Sequence, residues 1–193
     1  MSEVMSPLSL PLDEYQQQYE VLKDDVRHLV ADLDRERFNW KPAPESWSIA
    51  QCLVHLNKVD RAYVRQLDRG IESARERGLV GGRRIRYNFF ERWFIRSMEP
   101  PPKRRFPAPK KVVPAEDHPL EEVLERYLAT KDELLDLLHR ADGLDICRAK
   151  ITSPLAKFIR FRIGAAFAFI AAHDRRHLWQ ANQVRRNSDF PEA

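Results

Sequence analysis

The 193-residue chain has little glycine, little cysteine and no long apolar run, and each shortage excludes a class of function. Its six glycines form neither a GxGxxG nor a GxxxxGKS/T pattern, so nucleotide binding by a glycine-rich loop is not expected. Cys52 and Cys147 lie far apart with no CxxC pair, which argues against a disulfide framework and a zinc knuckle. The longest stretch without a charged or hydrogen-bonding side chain, Ile163 to Ala172, is ten residues, far short of the roughly 20 that a membrane span requires. The opening residues MSEVMSPLSLPLDEY lack a basic segment followed by an apolar one, so a signal peptide is not expected and the reading is cytoplasmic.

What is present is ordinary for a soluble globular protein: 43% hydrophobic and 32% charged residues in a length that suits one domain over residues 1–193. The net charge of +4 is unevenly spread. Twelve Lys and Arg against three Glu between Arg75 and Val113 give a local excess of nine, so the rest of the chain sums to about −5 by subtraction. This basic segment mixes Arg with Tyr87, Phe89, Phe90, Trp93 and Phe94. It carries no helix-turn-helix or RNA-binding pattern, which ranks nucleic-acid binding below a lid or a dimer contact.

Apolar positions recurring at three and four predict four long helices. The first runs from Asp13, as N-cap, to about Arg37, with Tyr15, Tyr19, Leu22, Val26, Leu29 and Leu33 on its stripe. The second opens at Ser48, where Gln51 three residues on completes a capping box and Trp47 packs just ahead; it ends at Arg77 before Gly78. Residues 78–118 form a long crossover, with a short helix expected in its aromatic first half and an extended course in its second, where seven prolines fall between Pro100 and Pro119. The third helix starts after Pro119, carries Leu120, Val123, Tyr127, Leu134 and Leu138, and closes at Gly143. Ser153 as N-cap with Pro154 at the first helical position predicts the start of the last helix, and no strand is expected. The fold class is all-α: a four-helix bundle with a long crossover between helices two and three, long enough to let those two run parallel.

The last helix carries the chemistry. Ile159, Ile163, Ala166, Ile170, His173, His177, Gln180 and Val184 share one inward stripe, and His173 and His177 at i and i+4 stand one turn apart, a spacing that lets two imidazoles converge on one ion. On the second helix His55 lies on the flank of the apolar line, beside Cys52 and Val59, from where a residue can look into a cleft between helices. Gln51, one turn before His55, and Gln180, next to His177, are candidates for orienting the imidazoles, with ordinary helix-forming glutamine as the alternative. Cys52 reads as a buried small thiol, and Asp174, Arg175 and Arg176 as a solvated face or salt-bridge partners.

The run FNWKPAPESWSIAQCLVHL, with a histidine on the helix it opens, and HDRRHLWQ near the end together resemble the DinB-like superfamily of bacterial helical bundles. The resemblance covers essentially the whole chain. It implies a three-histidine metal site made of His55, His173 and His177, dimers in many members, and activities that include metal-dependent thiol S-transfer, thiol-dependent isomerisation and metal-dependent hydrolysis. Three neutral imidazoles suit Zn, Ni or Fe as a divalent ion, leave positions open and favour an anionic further ligand, either hydroxide or thiolate. The leading expectation is an enzyme with a small-molecule substrate: an S-transferase using a low-molecular-weight thiol, or a hydrolase using metal-bound hydroxide. A non-catalytic metal-binding bundle is the other class.

Overall fold

A computed structural model of the chain describes residues 12–81, 85–103, 108–156 and 158–192. Its elements are α1 (Leu12–Val30), α2 (Arg35–Asn39), α3 (Ile49–Glu76), α4 (Phe89–Met98), a 3-10 turn at Lys110–Val112, α5 (Leu120–Ala141), β1 (Lys150–Thr152), β2 (Arg160–Arg162) and α6 (Ile163–Arg185).

The four long helices are α1, α3, α5 and α6, and each buries the stripe its sequence carries. α3 packs on α5 and α6, and α1 packs on the same two from the other side. Contacts fix the directions. Asn57 donates to the Val123 carbonyl near one end of the α3–α5 pair, and Arg75 to the Arg140 carbonyl near the other, so these helices run parallel, as the long crossover permits. Against α3, α6 runs the opposite way: His55 meets His173 and His177, and Tyr63 meets Phe169 further along. α6 is the central helix, buried on nearly every side from Ile163 to Asp174.

Local signals account for most of the boundaries. The Ser48–Gln51 capping box forms at both hydrogen bonds. Gly78 (φ +61°) and Gly143 (φ +77°) end α3 and α5 in the left-handed region, where a side chain would be strained. In the crossover, Asn88 and Glu91 build a second capping box that opens the short α4. Glu91 is buried there: its carboxylate also accepts from the Arg162 backbone N–H at 3.1 Å, and so ties α4 to the start of α6.

Four sequence expectations are corrected, among them that no strand forms, since β1 and β2 pair antiparallel. The first helix stops at Val30, not Arg37, because Asp34 caps a separate short helix by accepting from the Arg37 N–H, and short Asp side chains compete with the helical backbone. Asp13 lies inside the first turn of α1 and not at its cap. The last helix starts at Ile163 and not at Ser153. Ser153 Oγ does accept from the Leu155 and Ala156 N–H groups, but the turn it closes joins two antiparallel strands pairing Ile151 with Phe161. The hairpin is explained by period two: Phe161 is buried between the outward Arg160 and the half-buried Arg162, and Ile151 meets it from the facing strand. The expected irregular lead-in at residues 1–11, and residues 82–84, 104–107, 157 and 193, lie outside the described residues.

Candidate metal centre

α3 carries His55 two turns after its cap, and α6 brings His173 and His177 past it in the opposite direction. All three imidazoles are buried, at 3%, 6% and 9% exposure, and one ligand atom of each lies within 4.8 Å of the others. Residues 118 apart in sequence therefore meet at one point.

The hydrogen bonds around the rings decide which nitrogen faces inward. His55 Nδ1 lies 3.0 Å from the Val112 carbonyl oxygen, which can only accept, so Nδ1 carries the proton and Nε2 presents a lone pair. His177 Nδ1 donates to Gln180 Oε1 at 3.1 Å, which leaves its Nε2 in the same state. Nε2 of His55 and Nε2 of His173 face each other at 3.4 Å. Two nitrogens bound to one tetrahedral ion at about 2.05 Å would stand about 3.35 Å apart, so the separation suits a shared ion. Burial lowers the pKa of all three. For His173 the neighbouring imidazoles and Lys131 add to the effect, and His177 is brought down to about 3 by burial, His55 and Arg176. Neutral imidazoles with converging lone pairs are what a borderline-soft dication binds.

The walls are aromatic. Trp47 stacks on the His177 ring at 5.7 Å and lies against His55 at 4.9 Å, so the residue ahead of the capping box covers the site. Phe169 stacks under His173 at 5.4 Å and is itself stacked on Phe94 of α4 at 5.2 Å, which links the crossover helix to the site.

The profile of the DinB superfamily matches residues 18–181, a span that includes all three histidines. The chain belongs to the DinB superfamily. No curated protein and no solved structure matches it. Membership, together with the buried three-histidine group, fits a metal-dependent enzyme.

The other candidates fall less uniformly than the histidines. Gln180 accepts from His177, whereas Gln51 has other partners. Its amide accepts from the Ser48 N–H and donates to the Ala115 carbonyl, so the capping box and the crossover use both ends. Cys52 is fully buried and free, and burial pushes its thiol well above the ordinary range. Asp174 is not solvated: it is fully buried and paired with Lys131, whereas Arg175 pairs with Glu99 at 2.6 Å.

Sequence reasoning missed a buried charged cluster directly beside the histidines. Lys131 Nζ of α5 lies 2.6 Å from Asp60 Oδ2 of α3 and also contacts Asp174 Oδ2, which accepts from the Tyr127 hydroxyl at 2.9 Å. None of the three charged side chains is more than 1% exposed. The Lys131 ammonium also lies 4.6 Å from the Tyr127 ring centroid, within cation–π range. Burial and Asp174 push the Asp60 carboxyl above its ordinary range against the opposing pull of Lys131. A signal for the cluster does exist in the sequence: Asp60 follows Leu56 by four and precedes Tyr63 by three, and Lys131 follows Tyr127 by four, so both charges occupy core positions of their stripes.

Proposed function

We propose that His55, His173 and His177 hold one divalent transition ion, Zn, Ni or Fe, each through Nε2. The protein is then a metal-dependent enzyme that transfers a low-molecular-weight thiol to a small electrophile. The observation that carries the reading is the convergence of three neutral, buried imidazoles whose outer nitrogens are already engaged at His55 and His177. When bound, the ion supplies a Lewis-acid centre that keeps a thiol deprotonated at neutral pH and so makes it a nucleophile.

The chain's own residues do the rest. Val112 and Gln180 hold two imidazoles in the required tautomer. Trp47 and Phe169 narrow the site and exclude water, which strengthens the electrostatics inside it. No carboxylate is among the proposed ligands, so the site keeps its full positive charge toward an anionic nucleophile. A cavity of about 350 Å³ lined by Lys58, Arg61, Arg65 and Lys111 shares Val112 with the site, and it suits a negatively charged group on the thiol or the substrate. α4, part of the basic aromatic segment from Arg83 to Arg96, buttresses Phe169 from behind; Arg83 and Arg84 themselves lie outside the described residues. Its outward Phe89, Phe90 and Trp93 are the surface through which two copies of the chain would meet.

Hydrolysis draws on the same three histidines and differs only in needing no thiol. The test is incubation of metal-loaded protein with electrophiles and esters, with and without bacterial low-molecular-weight thiols. Thiol-dependent turnover that disappears in His55→Ala supports the transferase. Turnover indifferent to thiol would replace it with the hydrolase, and no turnover at all would leave a non-catalytic metal-binding bundle.

A further inference from the structure

Five buried side-chain polar atoms have no hydrogen-bond partner among the described residues, and three of them, His173 Nδ1, Asp60 Oδ1 and Asp174 Oδ1, belong to neighbouring residues, whereas Arg37 Nε and Asn57 Oδ1 lie outside that group. The three neighbours each bring one ligand-type atom within 4.8 Å of the other two. Buried polar atoms are nearly always paired, so three orphans on neighbouring residues call for a common explanation. A second metal ion is not that explanation, because the Lys131 ammonium already sits on the other oxygen of both carboxylates.

The donor and acceptor count points elsewhere. Nε2 of His173 faces His55, so with that lone pair on an ion the proton of the ring is on Nδ1, and the orphans become one donor and two acceptors. Two hydrogen bonds of about 2.8 Å meeting at a water oxygen span about 4.6 to 4.9 Å, comparable with the 4.8 Å within which one ligand-type atom of each residue lies. A water accepts one N–H and donates two hydrogens.

We infer that a single buried water joins His173 Nδ1 to Oδ1 of Asp60 and Oδ1 of Asp174, so that the Asp60–Lys131–Asp174 cluster positions His173 for metal binding. The role in metal binding, and the donor role given to His173 Nδ1, rest on the reading of His173 as a ligand through Nε2; the presence of a water among the three atoms does not. Asp60 and Asp174 are positioning residues: they fix the tautomer and tilt of a ligand without touching the ion, and loss of such a partner costs about 10- to 100-fold in metal affinity.

The test has two arms on the full chain. In a crystal structure of the metal-free protein that orders internal waters, a water is expected within about 2.6 to 3.2 Å of all three atoms. Absence of density there, or His173 Nδ1 bonded to another group, overturns the inference. In the second arm, Zn²⁺ is titrated against a chromophoric chelator in wild type, Asp60→Asn and Asp60→Leu, with thermal melting of each metal-free form. Asp60→Leu, which removes the acceptor, is expected to lose about 10- to 100-fold in affinity, and Asp60→Asn, which keeps Oδ1, to stay within about tenfold of wild type. Wild-type affinity in a folded Asp60→Leu also overturns it, since a merely structural Asp60 would lower the melting temperature and leave affinity alone. Should Asp60→Leu fail to fold, the crystallographic arm decides. Should wild type bind no zinc, the metal reading falls while the water is still judged by the density.

Discussion

His55 and His173 present their Nε2 atoms to each other at 3.4 Å although α3 and α6 approach from opposite directions and no proton from His55 lies between them. The neighbouring backbone and side chains force this arrangement. The Val112 carbonyl takes the other face of His55, and Phe169 backs the ring of His173. His55 Nε2 is an acceptor, so in the metal-free protein His173 Nε2–H can donate to it, and a cation between the two nitrogens would take the place of that proton.

The metal-free protein should lose stability as pH falls, through its histidines. Burial holds His55, His173 and His177 below the ordinary value of 6.5, His177 at about 3, so below pH 6.5 the unfolded chain binds protons that the folded chain refuses. Their contribution is complete above about 6.5 and is lost progressively as pH drops toward 3. Raised Asp60 acts in the opposite sense, so the comparison is made against a variant in which only a histidine changes. Between about pH 7 and about pH 4.5 the melting temperature of wild type should fall more steeply than that of His177→Gln. Parallel slopes would refute this.

Lys131→Met should destabilise the fold by about 3–5 kcal/mol, because it leaves two buried carboxylates without their cation. Urea unfolding measures it. A loss under about 1 kcal/mol would mean that the cluster is neutral before the mutation.

Gly70→Ala should cost about 1–3 kcal/mol despite the better helix propensity of alanine. A β-carbon at position 70 would stand 2.4 Å from Ile151 Cγ2, inside the contact between α3 and the hairpin. Ile151→Ala in the same chain should recover part of that loss, and additive costs in the double-mutant cycle would show that the two positions do not clash.

Self-association is expected through α4, where Phe89 is 86% exposed and Phe90 and Trp93 nearly half exposed. Light scattering at micromolar concentration should give twice the 22.7 kDa chain mass, and Trp93→Glu should return it to one. A monomeric wild type would contradict this.

The parts of the fold legible in sequence are those written in periodicity and caps: the stripes of α3, α5 and α6, the Ser48–Gln51 box, and the glycines after α3 and α5. His173 and His177 are legible because i, i+4 spacing on an inward stripe survives folding unchanged, whereas His55, on the flank of its helix, is joined to them by the DinB resemblance. The hairpin is not, because a Ser-Pro pair signals a helix start and a turn equally well, and three-residue strands give period two little room. Gln51 misleads because Oε1 closes the capping box while Nε2 donates to the Ala115 carbonyl of the crossover, a partner that helix periodicity does not reveal. The Lys131 cluster stays hidden because a charge on a core stripe looks like an interruption until its partners on two other helices are known.

The most direct measurement is the metal content of protein purified without a histidine tag, wild type beside His173→Ala, with circular dichroism of both. The account predicts about one divalent transition ion per chain in wild type, none in the variant, and helicity retained in both, since each helix buries its own stripe. Equal metal in the two proteins would contradict it, and collapse of helicity in the variant would make the ion structural and not a site for chemistry.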